Sequence, residues 1–178
     1  NSHPPPTFCD RFWQIRPLIA AFNEHMTKIF KAGWLVCLDE SMVIWTAGRG
    51  PGFIVLLRKP HPFGNEYHTI ADSMTKIIFF IELVEGKDQP PQLPPLPFSD
   101  LGKTPSLLVR MTEPIWNSGR VIALDSGFGV LKGLTALLDH GLYCSMVIKK
   151  RRYWPFGTFG DEVCYCQSVN LTFLSILM

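Results

Sequence analysis

The chain has 178 residues, a formal net charge of +2, and 47% hydrophobic against 18% charged residues. That length suits one core of ordinary size rather than two independent domains, and the composition excludes a disordered chain. The net charge selects no partner; only the local distribution of charge can do so. Fifteen prolines and fourteen glycines require many loops. No apolar stretch approaches the ~20 residues that span a membrane, and the polar, proline-rich start, Asn1 to Thr7, is not a secretory leader. Five cysteines (Cys9, Cys37, Cys144, Cys164 and Cys166) form an odd set without a C-x-x-C pair and read as reduced thiols of an intracellular protein. Cys164 and Cys166 match no common zinc knuckle.

Residues 1–9 form an extended lead-in, with Pro4 to Pro6 at its centre. Arg11 to Lys31 reads as a helix broken early by Pro17, with Phe12, Ile15, Ile19, Phe22, Met26, Ile29 and Phe30 on one apolar face. Gly33 is its expected stop. Trp34 to Trp45 has the length and composition of a buried strand, yet holds the acidic pair Asp39-Glu40. Phe53 to Leu57 reads as a second strand, hairpin partner of the first. Arg58 to Asn65 is a loop, followed by strands at Glu66 to Asp72 and Lys76 to Val84. Gln89 to Pro97 is an exposed polyproline-type connection that needs no partner.

Thr104 to Trp116 reads as a helix with Pro105 in its first turn. Val121 to Leu124 is a short apolar strand ending on Asp125, and Phe128 to His140 is a helix closed by Gly141. Leu142 to Ile148 makes a final strand that runs into Lys149-Lys150-Arg151-Arg152-Tyr153-Trp154. This order, a hairpin meander followed by strand-helix-strand crossovers, implies an α/β fold with a mixed sheet. It matches the ribonuclease H-like fold, in which the first and fourth strands are neighbours. The fold therefore brings Asp39 to Asp125. A carboxylate in an apolar strand is costly to bury unless it is paired or binds a cation, so two of them side by side suggest a divalent-metal site. Each acid taken alone is more readily a turn or strand-end residue.

These segments resemble the piggyBac-type DDE transposases and the domesticated proteins derived from them. The resemblance rests on Leu38-Asp39-Glu40-Ser41-Met42 with Gly48-Arg49-Gly50, on Arg58-Lys59-Pro60-His61-Pro62-Phe63-Gly64, on Leu124-Asp125-Ser126-Gly127-Phe128, and on Ile148 to Pro155. Ile15-Arg16-Pro17-Leu18 resembles the segment that precedes the first acid. The likeness covers most of residues 10–156, a partial transposase core, and leaves 157–178 as a degenerate or truncated tail. Val169 to Met178 is nearly all apolar, which reads as a fragment's end or as a buried strand.

The resemblance implies a core for metal-dependent DNA cleavage and strand transfer. Asp39 and Asp125 would be its first two acids and its ligands for Mg²⁺ or Mn²⁺. Glu40 points to the other face of its strand and is not expected to be a ligand. The third acid has no counterpart: Asp139 lies near a helix C-terminus, and Asp161 and Glu162 lie in a glycine-rich turn. The isolated chain is therefore expected to be inactive, and a non-catalytic DNA-binding module derived from a transposase is the rival reading. Arg49, Arg58, Lys59, Lys149, Lys150, Arg151 and Arg152 are candidate phosphate contacts, with Tyr153 and Trp154 stacking on an unpaired base. DNA, as transposon ends and target, is the implied partner, a homodimer the implied assembly and the nucleus the implied location. Gly102-Lys103-Thr104 is no P-loop, because Pro97 stands where the first glycine must be.

Overall fold

The computed structural model describes residues 10, 12–44, 53–57, 59–85 and 97–146. Helix α1 spans Arg16–Ile29. Pro17 stands in its first turn, where the missing N–H costs nothing, so it starts this helix rather than breaking it. The chain then turns at Phe30, and β1 runs over Leu35–Ile44. Strand β2 is only Ile54–Val55, β3 is Phe63–Asp72 and β4 is Ile78–Leu83. Helix α2 occupies Lys103–Thr112 and tightens into a 3₁₀ turn at Glu113–Ile115. Strand β5 is Val121–Leu124, α3 is Leu131–Asp139 and β6 is Tyr143–Met146.

The six strands form one mixed sheet in the order β2-β3-β1-β5-β6, with β4 also on β3. β1 pairs antiparallel with β3 from Val36↔Asp72 to Ile44↔Gly64, and β5 runs parallel to both β1 and β6. This is the α/β, ribonuclease H-like arrangement expected from the order of elements. One pairing differs. β2 joins β3 through Ile54↔Gly64 and Val55↔Phe63, rather than β1. The Pro60/Pro62 turn folds the chain straight back, with Leu56 N–H donating to Pro62 O at 2.8 Å, so β3 begins three residues earlier than its pattern suggested.

Alternation decides where the core lies. Val36 and Leu38 of β1, Ile70 of β3, Ile122 and Leu124 of β5, and Cys144 and Met146 of β6 are all buried on one face. Leu107, Leu108 and Met111 of α2 pack there with Leu134 and Leu137 of α3. Both helices thus cover the same side of the sheet. Helix α1 instead runs along β4, where the Asn23 side chain accepts from Ile81 N–H at 2.9 Å and donates to Ile81 O at 2.8 Å. That double bond seals the outer edge of the sheet. Gly141, at φ +68°, closes α3 as its place in the sequence implied.

Candidate functional site

Register sets the site. Leu35 to Leu38 of β1 lie opposite Val121 to Leu124 of β5. One step further along the chain, Asp39 and Asp125 each follow the last register pair, Leu38↔Leu124. Leu38 and Leu124 are both buried in the core, so the alternation of β1 turns Asp39 to the opposite face, while Asp125 follows β5 and opens a turn. Asp39 and Asp125 are both exposed. Asp39 Oδ1 accepts from the Glu40 N–H at 2.7 Å. Asp125 Oδ1 accepts from Ser126 N–H at 2.5 Å and Ser126 Oγ at 3.1 Å. The Asp125 carbonyl accepts from Phe128 N–H at 2.9 Å, closing a turn. That turn holds Val130 extended and delays α3 until Leu131, three residues later than the apolar pattern suggested.

Around Asp39 the strand is fixed from β3. Thr69 Oγ1 donates to the Asp39 carbonyl at 3.3 Å and lies 3.0 Å from Ser41 Oγ. Two residues before the acid, Cys37 is half-buried on the same face, and burial, then the Asp39 charge, push its thiol pKa up. Period-two alternation alone would have placed Cys37 and Ser41 beside Asp39. Glu40 faces the other way, opposite His68. Lys59 lies over it, its Nζ donating to the Glu40 carbonyl at 3.2 Å and standing 3.8 Å from the carboxylate. Lys59, a candidate phosphate contact, therefore braces β1 on the face away from Asp39. Arg49, Arg58, Lys149, Lys150, Arg151, Arg152, Tyr153 and Trp154 lie outside the described residues, as do Asp161 and Glu162.

Glu40, His68 and Glu82 stand directly opposite one another across β1, β3 and β4. Arg110 grips Glu82 through two bonds, at 3.1 and 2.7 Å. The His68 ring meets Phe128 edge-on at 5.8 Å, and its Nδ1 is buried without a hydrogen-bond partner among the described residues. Burial holds the His68 pKa below its ordinary 6.5, against the pull of Glu82 and Glu40 and with the help of Arg110 and Lys103. Above pH 6.5 both folded and unfolded chains carry a neutral ring, so His68 adds no pH dependence there. As the pH falls through 6.5, the unfolded chain takes up a proton that the folded ring resists, and stability falls. Urea titrations from pH 7 to 5 are expected to show wild type losing stability more steeply than His68→Leu; equal slopes would contradict the buried neutral ring.

The acid pair offers oxygen ligands of the kind that Mg²⁺ or Mn²⁺ takes while keeping several waters. No group of three or more histidine, cysteine, aspartate or glutamate residues able to hold a metal occurs among the described residues. Asp139 does not add one here. It ends α3, which returns from the acid end of β5 to the start of β6, so Asp139 lies at the opposite end of the sheet.

The family model described as Transposase IS4, of the DDE type, matches residues 1–168. The chain belongs to this transposase family. No curated protein matches the chain. Among solved structures, the piggyBac transposase in its synaptic complex with hairpin DNA is similar with a TM-score of 0.65 and 21% identity. The match covers 81% of this chain and 29% of that one, so the transposase chain spans under a third of the solved relative. The piggyBac-type likeness carried by the motifs and the ribonuclease H-like order thus agree with family and fold. No helix among the described residues of this DDE-family chain is long and apolar enough to cross a membrane.

Proposed function

We propose that the chain carries part of a metal-dependent DNA cleavage and strand-transfer centre, with Asp39 and Asp125 as two ligands of Mg²⁺ or Mn²⁺. The observation that supports this reading is that two exposed acids directly follow the last register pair of β1 and β5. When bound, such ions supply the charge that activates an attacking water or 3′-hydroxyl and neutralises the leaving oxygen. The chain's own part is to hold the two carboxylates. The Thr69–Ser41 pair keeps β1 in place beside Asp39, and the Ser126 N–H and hydroxyl orient the Asp125 carboxylate.

Phosphate contact falls to Arg49, Arg58 and Lys149 to Arg152, with Tyr153 and Trp154 stacking on a base. β6 is parallel to β5, and its described residues run to Met146, the register partner of Leu124, beside the acid end of β5. Three residues of chain carry Lys149 no further than about 10 Å from that point. Transposon ends and target DNA are the partners, a homodimer the assembly and the nucleus the location of this reading.

A second reading, a DNA-binding module without chemistry, is favoured by the lack of a third acid beside the pair among the described residues. On either reading the isolated chain is inactive in strand transfer, because two carboxylates do not hold the pair of ions the transfer requires.

Calorimetric titration of Mg²⁺ and Mn²⁺ into the folded chain, beside an Asp39→Asn/Asp125→Asn variant, separates the two. Binding lost in the variant supports the metal centre. A folded wild type that binds neither ion overturns it, and DNA binding that weakens with salt would then describe the module.

A further inference from the structure

The last register pair between β1 and β5, Leu38↔Leu124, falls one residue short of both acids. From there β3 touches both acid-bearing segments, one from each of its faces. Thr69, the register partner of Asp39, donates to the Asp39 carbonyl at 3.3 Å. The residue before it, His68, is turned to the opposite face by the alternation of the strand. There its ring meets Phe128 edge-on, with centroids 5.8 Å apart and planes at 75°. Phe128 is 4% exposed, and its N–H closes the Asp125 turn by donating to the Asp125 carbonyl at 2.9 Å. Two consecutive residues of one strand thus reach the two segments that carry the acids.

The carboxylates on either side of His68 are occupied by cations. Lys59 Nζ stands 3.8 Å from the Glu40 carboxylate, and Arg110 grips Glu82 through two bonds. His68 Nδ1 is buried with no hydrogen-bond partner among the described residues, an arrangement that costs stability. Such an orphaned atom marks a ring kept in place for something other than hydrogen bonding. The aromatic contact that this ring makes is the one to Phe128. We propose, on the metal reading above, that His68 is a positioning residue of the acid pair. Through Phe128 it fixes the Asp125 turn against β3, the strand that also holds Asp39. β3 then serves both ligands as a common ruler.

The test compares wild type, His68→Ala and His68→Phe as full 178-residue chains at neutral pH. Amide exchange by NMR is read at Phe128, with Ile122 of β5, 0% exposed, as the internal reference. In His68→Ala, exchange at Phe128 is expected to rise about tenfold more than at Ile122, because the turn opens without the strand unfolding. Calorimetry is expected to give roughly tenfold weaker Mn²⁺ binding in the same variant. His68→Phe, which keeps a ring against Phe128, restores both readouts. Equal rises at Phe128 and Ile122 overturn the proposal and leave His68 a general support of the fold. Mn²⁺ binding that is unchanged in His68→Ala overturns it as well. Losses in His68→Phe as large as in His68→Ala overturn the ring contact as the route. A folded wild type that binds no Mn²⁺ overturns the metal reading instead, and the exchange ratio then decides whether His68 holds the turn. If His68→Ala does not fold, His68→Val, which suits a strand and also withdraws the ring, takes its place with the same outcomes.

Discussion

Arg16→Met lowers the stability of the folded chain by about 3 kcal/mol at neutral pH, because it leaves two carboxylates facing each other with no cation between them. Arg16 donates to Asp10 at 2.5 and 3.0 Å and to Glu85 at 2.6 and 2.7 Å, so its guanidinium joins Asp10, the start of α1 and the chain just after β4. Asp10 is 7% exposed, and its carboxylate also accepts from Phe12 N–H at 3.0 Å. Glu85 and then Asp10 hold the guanidinium firmly protonated. The Arg16 hydrogen bond, foremost, and the Phe12 N–H hold the Asp10 pKa below its ordinary 3.8 despite burial.

The sign of the pH dependence follows. A lowered folded pKa contributes stability that is fully present above the unfolded value of 3.8 and is lost as the pH falls below it. Wild type and Arg16→Met are therefore expected to differ most at neutral pH and to converge in acid. Urea unfolding at pH 7 and at pH 3 checks both halves. A gap that persists unchanged at pH 3 would assign the loss to packing of the arginine stem.

Leu108→Ala costs about 3 kcal/mol, the usual range for a fully buried leucine that leaves a cavity. Leu108 is 0% exposed on α2 and meets α3 at Gly133, where a Cβ would stand 2.6 Å from Leu108 Cδ1 and 3.1 Å from Val130 Cγ2. The glycine is there because the two helices touch at this point. Gly133→Ala alone is expected to destabilise, since the shifted leucine has a packed core behind it. Together with Leu108→Ala the added methyl enters vacated space, and alanine's better helix propensity returns about 1 kcal/mol. The double mutant is thus expected to be more stable than Leu108→Ala alone. Denaturant midpoints at constant slope measure all three proteins. Simple additivity of the two single losses would place the crossing of α2 and α3 elsewhere.

The sequence was most legible where one face of a strand is apolar. Val36 and Leu38, and Ile122 and Leu124, marked both strands and placed an acid directly after each core-facing leucine. The pairing of β1 with β5 then followed from the order of elements. Pairing choices set by tight turns were not legible: Phe53 to Leu57 carries no mark that distinguishes β1 from β3 as its partner. The turn at Asp125 to Phe128 is likewise invisible in an apolar pattern that continues through Val130.

Long-range polar clamps were hidden as well. Arg16 looked like part of a motif, and nothing near it pointed to Glu85, 69 residues away. Asp72 looked like a strand end. It is 2% exposed and ties Gly33 N–H at 2.8 Å and Thr75 N–H at 2.7 Å to one carboxylate. Those backbone bonds, Thr75 first, hold its pKa low.

β1 is really two lengths of strand joined at Asp39. From Leu35 to Leu38 it lies between β3 and β5, and from residue 39 to Ile44 β3 is the one strand beside it among the described residues. The first length is held on both sides like a plank in a floor, and the second projects like a diving board. Amide exchange along one continuous strand should therefore step up sharply past Leu38 rather than rise smoothly. Asp39 sits at the fulcrum, where bending of the free length changes its separation from Asp125 least. A pair of acids at such a point keeps its spacing while the ribbon above it flexes.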